Sequence, residues 1–113
     1  MVKTKETNYR YIMWVLGFTC IDISNMSGIP LNNVKFQIRS GEKVPPLLKQ
    51  CFRQWAELIN SVAEFFGGDR TKTKLWFSLR NPCLGDISPR EIILIGRYEK
   101  LLRFVINALS ENS

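Results

Sequence analysis

The side chains that most often carry chemistry are scarce in this chain. It has no histidine, which removes the usual general base at neutral pH, the usual metal ligand and every His-containing triad. Its three cysteines, Cys20, Cys51 and Cys83, are odd in number and lack C-x-x-C spacing, so they support neither a disulfide framework nor a zinc site. Buried thiols in a reducing cytosol fit this usage, and a Cys nucleophile would lack its His partner. Glu57 and Glu64 lie two turns apart on one helical face, a pairing that solvated helices carry as surface. Gly67-Gly68-Asp69 follows a helical pattern rather than a strand, so no phosphate loop is indicated. The expectation is a protein that is not an enzyme, with no cofactor and no metal.

The remaining candidates are basic and amide side chains. Asn32, Asn33, Lys35, Arg39 and Lys43 fall close together; Asn can pair with an adenine edge and Arg with guanine, while Lys35, Arg39 and Lys43 can neutralise phosphates. The whole chain carries sixteen Lys and Arg against ten Asp and Glu, for a net charge of +6. Residues 1–50 hold seven bases and three acids, and residues 51–113 nine and seven, so the excess leans toward these candidates. Such a balance favours polyanionic partners, although three basic residues on a solvated helix face need no partner.

The elements that position these residues follow from periodicity. With 113 residues, 45% of them apolar and 12% aromatic, the chain can fill one core, as a single domain or as two very small helical modules sharing it. Tyr9, Ile12, Met13 and Leu16 predict a first helix between Glu6 and Leu16, ended by Gly17. Thr19 with Asp22 opens a second helix in the manner of a capping box, and Gly28 closes it. Leu31, Val34, Phe36 and Ile38 then mix helical and alternating spacing, so periodicity alone leaves this segment ambiguous and its neighbours decide for a third helix, ended by Gly41. The Pro45-Pro46 pair then stops the chain and starts the next element. From Leu47 to Phe66, Leu48, Cys51, Phe52, Trp55, Leu58, Ile59, Val62, Ala63 and Phe66 keep one face for more than five turns. Leu75, Trp76 and Leu79 predict a shorter helix. Ser88-Pro89-Arg90-Glu91 is a capped start for a helix burying Ile92, Ile93 and Ile95, and Tyr98, Leu101, Leu102, Val105 and Leu109 mark a last helix that frays into Ser110 to Ser113. The predicted fold is all-α with about seven helices, without repeats or hairpin signals. No signal peptide or membrane span is expected, and the predicted location is cytoplasmic.

Residues 19–43 supply the parts of a helix-turn-helix: Ile23 inside the first helix, Gly28 in the turn, Ile29 at the corner, and Val34 anchoring the second helix. The run from Phe18 to Val34, F-T-C-I-D-I-S-N-M-S-G-I-P-L-N-N-V, followed by S-G-E-K-V-P, resembles the Xre or Cro-type repressor helix-turn-helix. Ser24 stands where that family prefers Ala, the recognition helix is one residue longer, and Gln37 stands where an aromatic is usual.

From Ala63 onward, Phe66-Gly67, Trp76, Asn81-Pro82, Leu84-Gly85, Ser88-Pro89 and Gly96-Arg97 resemble, in order over about fifty residues, the antitoxin Xre/MbcA/ParS toxin-binding domain. Each also has a structural role of its own: Trp76 can fill a corner between helices, and Leu84-Gly85 can turn the chain into the helix at Ser88. The resemblance implies a regulator in which a repressor module is joined to a helical module covering the active site of a RES-type toxin that acts on NAD. It makes Arg97, Tyr98, Leu101 and Val105 the candidate partner residues, although an Arg at a helix start is commonly just solvated and a Tyr there commonly packs in the core. The family's short Gly-containing tail has no counterpart in Ser110 to Ser113.

Together these features predict residues 1–45 as an Xre-like helix-turn-helix module and residues 46–113 as a toxin-binding and dimerisation module. The expected partners are a cognate toxin, double-stranded DNA and a second copy of the chain. The alternatives are a stand-alone repressor of a phage or mobile element, with the C-terminal helices serving only dimerisation, and a protein-only adaptor or inhibitor.

Overall fold

The computed structural model describes residues 8–111, so the proposed start of the first helix at Glu6 and the reading of Met1 to Lys5 lie outside the described residues. Seven α-helices follow one another: α1 (Tyr9–Leu16), α2 (Cys20–Ser27), α3 (Leu31–Ser40), α4 (Pro46–Phe65), α5 (Arg70–Ser78), α6 (Pro89–Leu94) and α7 (Tyr98–Glu111). A single 3-10 turn, Pro82–Leu84, precedes α6. Among the described residues there is no strand, only one isolated bridge between Asn81 and Ile87, and the fold is all-α as the periodicity predicts.

Local chemistry sets most of the boundaries. Thr19 and Asp22 form a reciprocal capping box at the start of α2, and Ser88 and Glu91 form another at α6; each satisfies amide donors that the first helical turn leaves free. Asp69 caps α5 through the Lys72 amide, 3.0 Å away. Pro46 occupies the first turn of α4, where its missing N–H costs nothing. Gly17 ends α1 at φ 72°, and a Cβ there would also meet Arg90 Nε at 3.1 Å, so both backbone and space call for glycine.

The helices enclose one core that spans both expected modules. Helix α4 is the scaffold: Leu48, Phe52, Trp55, Leu58, Ile59 and Val62 are buried along it, and α1, α5 and α7 pack on it. Helix α1 is also central, burying Ile12, Met13, Val15 and Leu16 between α3, α4 and α5. The aromatic rings interlock at the middle. Tyr9 meets Phe52 edge-on at 4.7 Å, Phe52 meets Trp55 at 5.0 Å, and Trp55 meets Phe18 at 5.4 Å, the geometry that ring quadrupoles favour.

The structure corrects several expectations about faces. In α5 the buried residues are Thr73 and Phe77, while Leu75 and Leu79 are exposed; the Thr73 hydroxyl spends its donor on the Asp69 carbonyl at 2.8 Å, which makes its burial affordable. Ile95 is exposed and serves as the C-cap of α6, leaving Ile92 and Ile93 as the buried pair. The last helix continues through Ser110 to Glu111; Asn112 and Ser113 lie outside the described residues. The cysteines are not uniformly buried: Cys20 and Cys51 are half-buried and Cys83 is exposed. Burial pushes the Cys51 thiol up from its ordinary value, which disfavours the reactive thiolate.

Candidate nucleic-acid interface

Helices α2 and α3 are joined by the three residues Gly28, Ile29 and Pro30. Gly28 adopts the left-handed conformation at φ 78° and its N–H closes on the Ser24 carbonyl at 2.9 Å, which lets the chain reverse directly after α2. Ile23 and Val34, one from each helix, are completely buried and lock the pair onto the core, while Ile29 is packed at the corner.

The turn is held by serines. Ser24 Oγ donates to the Ile29 carbonyl at 2.6 Å, Ser27 Oγ donates to the Ile23 carbonyl at 2.7 Å, and the Ile29 N–H donates to Ser27 Oγ at 3.2 Å. Ser24, where the repressor family prefers Ala, thus satisfies a turn carbonyl. The second departure behaves differently. Gln37 is 7% exposed and its Oε1 is buried with no hydrogen-bond partner, a position that costs free energy. Gln37→Met is therefore expected to stabilise the fold by about 1 kcal/mol, seen as a higher urea midpoint at unchanged m-value; a lower midpoint would contradict the orphaned acceptor.

The buried side of α3 consists of Val34, Gln37 and Ile38. Asn32, Lys35, Phe36 and Arg39 stand at i, i+3, i+4 and i+7 on the opposite side and are all exposed, with Asn33 exposed beside them. Lys43, beyond the helix, is exposed on a left-handed backbone at φ 61° just before Val44 returns to the core. The five residues expected at a DNA surface are therefore all exposed, four of them on α3 and Lys43 just beyond its end. Phe36, 39% exposed in the middle of them, was hidden in the sequence because an apolar residue within a mixed pattern reads as core. Among the described residues the ion pairs within 4.0 Å are Arg80 with Asp86 and Arg90 with Asp22, so no carboxylate neutralises Lys35, Arg39 or Lys43 at that range.

The position of this pair is set from the other end of the chain. Arg90 Nε donates to the Leu16 carbonyl at 2.8 Å and Nη2 to the Gly17 carbonyl at 2.9 Å, its Nη2 lies 3.9 Å from Asp22, and its guanidinium lies 5.7 Å from the Phe18 ring. One planar fork thus satisfies the carbonyls at the end of α1 and meets an acid in the first turn of α2. A sequence shows Arg90 only as the second residue of a capped helix start.

The expected partner surface is redistributed. Leu101 and Val105 are buried, 0% and 5% exposed, and hold α7 to the core rather than facing outward. Tyr98 is half-buried, and its hydroxyl donates to the Gln54 carbonyl at 3.0 Å; burial, with Glu57 and Glu99 nearby, pushes its pKa up. Only Arg97 of the four is exposed. A pocket of about 160 Å³ does open beside them, walled by Phe65, Phe66, Trp76 and Phe104 with Val105 and Leu109. Among the described residues no group of His, Cys, Asp or Glu could hold a metal, and no helix is long and apolar enough to cross a membrane.

Set against models of known protein families, curated proteins and solved structures, the chain has no significant match in any of the three.

Proposed function

We propose that this protein is a small antitoxin-like regulator that binds operator DNA through α3 and binds and occludes a toxin protein through its C-terminal half. The observation that carries the DNA part is the α2–turn–α3 pair, with Ile23 and Val34 fully buried and Asn32, Asn33, Lys35 and Arg39 all turned outward. A helix so mounted fits the major groove, where amide and guanidinium groups can pair with base edges and lysines with phosphates.

The toxin part rests on the resemblance carried by residues 63–105, with a RES-type toxin as the partner and occlusion rather than catalysis as the mechanism. The aromatic-walled pocket, together with exposed Phe65 and Ile106, offers an apolar anchor of the kind that dominates protein interfaces; a second copy of the chain is the other proposed occupant of this half. A stand-alone repressor is the second reading, supported by the burial of Leu101 and Val105, which withdraws two of the four expected toxin contacts.

The deciding experiment is affinity purification of the tagged chain from its host at low and moderate salt, identifying both protein and DNA. A stoichiometric toxin whose growth inhibition the chain relieves supports the whole reading, specific DNA without protein leaves the stand-alone repressor, and a different protein without DNA leaves the adaptor. On a duplex recovered this way, Lys35→Gln and Arg39→Gln are each expected to lower the salt slope of binding by about 1. Asn32→Ala should weaken the recovered site selectively, leaving unrelated duplexes unaffected.

A further inference from the structure

Helix α1 is deeply packed, yet its Trp14 is 47% exposed. The indole sits in the middle of a strip assembled from three helices. On one side, the Tyr11 ring stacks beside it at 6.0 Å, Lys74 Nζ of α5 lies 4.9 Å over its ring while donating to the Trp14 carbonyl, and the Arg70 guanidinium of α5 lies 5.4 Å from the Tyr11 ring. On the other side a shallow groove of about 490 Å³ separates α1 from α3, with Arg10, Trp14, Lys35 and Arg39 on its rims and Met13 and Ile38 below.

Five cations are thus gathered from α1, α3 and α5, and among the described residues none has a carboxylate within 4.0 Å. Assembling like charges is unfavourable unless an anion meets them. Two of the five, Lys35 and Arg39, belong to the face assigned to DNA, so the strip continues that face instead of forming a separate one. A duplex backbone is a dense row of phosphate charges, which cations gathered from several helices can neutralise. The exposed part of the Trp14 indole adds flat apolar surface against which sugars can rest.

We propose that α1 and α5 form a second, sequence-independent grip on the DNA read by α3: the sugar-phosphate strand flanking the contacted groove crosses Trp14, leaving the α1–α3 groove where Arg10 meets its phosphates and passing onto α5 where Arg70 and Lys74 meet them. This rests on the DNA reading of α3 and adds to it a docking direction and a source of affinity that base contacts do not supply.

The test uses the full chain and two duplexes of about three helical turns, longer than the spacing of paired half-sites, one from the region upstream of its own gene and one of scrambled sequence. Arg10 and Arg70 are exposed, and Arg70 gives up only a surface cation–π contact with Tyr11, so Arg10→Gln/Arg70→Gln should melt close to the wild type. Its log Kd against log salt slope should fall by about 2, with an equal loss of affinity, tenfold or more near 0.15 M salt, on both duplexes. The control is Lys100→Gln/Arg103→Gln, which removes the same charge from exposed positions of α7 and should leave the slope nearly unchanged. Trp14 emission should change on binding, as judged against Trp14→Phe.

Equal losses from both double variants would reduce the effect to net charge and overturn the grip. A wild-type slope in the Arg10/Arg70 variant, while Lys35→Gln still weakens binding, would overturn it and leave the α3 reading standing. Tighter binding of the separated strands than of the duplex would replace the duplex by single-stranded nucleic acid. Absence of binding to any duplex would remove the α3 reading and the grip together.

Discussion

Arg90→Met is expected to destabilise the fold by about 2–4 kcal/mol and to lower DNA affinity by more than the unfolded fraction explains. Methionine keeps the length and apolar stem of the side chain but removes both donors to the Leu16 and Gly17 carbonyls. Each of those bonds comes from a charged donor, and charged hydrogen bonds are worth roughly 1.5–3 kcal/mol apiece before acceptors regain water. The Asp22 contact adds little, since it is 3.9 Å long and both side chains are about a quarter exposed. Asp22→Asn alone should therefore cost well under half of what Arg90→Met costs. Lysine should rescue poorly, because a single ammonium cannot reach two carbonyls in a planar fork. On the proposed DNA reading the excess loss has a mechanical cause: Arg90 holds the corner from which α2 and α3 depart, so its removal loosens the mount of α3. Guanidinium denaturation paired with titration of a recovered duplex measures both quantities; a change below about 0.5 kcal/mol would show that the corner is held by packing alone.

Trp55→Ala should cost more, about 3–5 kcal/mol, the range for large aromatics truncated in well-packed cores. Trp55 is 4% exposed and touches Phe18 and Phe52 edge-on, so its removal opens a cavity between α4 and the α1–α2 corner that rigid neighbours cannot close. Against a total stability of about 5–15 kcal/mol for a domain of this size, the variant should lose a large share of its stability and its thermal midpoint should drop by more than about 12 °C. Every fold-dependent activity should fail together as temperature rises. An unchanged melting curve would show that α4 is not the scaffold. Trp76, which only partly packs against the core and borders the open pocket, should tolerate truncation better, because water and the pocket already share its surroundings.

These two residues were unequally visible before the fold was known. Trp55 belongs to a face repeating every three to four residues over five turns, and burying that face is the only way such a helix becomes stable. Arg90 meets its partners 73 and 74 positions away, and no local pattern encodes that meeting. The α2–turn–α3 pair was legible for the first kind of reason: Gly28, Ile23, Ile29 and Val34 act within a dozen residues. Its basic face was legible too, because Lys35 and Arg39 share a helix. The other half of the strip was not. Arg10, Trp14, Arg70 and Lys74 come from two helices, and Lys74 lies 60 positions from the carbonyl it meets.

What the sequence by itself determined is therefore what acts over a few residues: two capping boxes, the glycine and proline boundaries, the seven helical segments, and the absence of any imidazole. Which part of the apolar stripe is buried in α5 and α7 was decided only by the tertiary structure. Helix α5 turns Phe77 rather than Leu79 inward, and α7 buries Leu101 and Val105, because an amphipathic stripe is wider than the contact its neighbours offer, and the neighbours choose the part of it that packs.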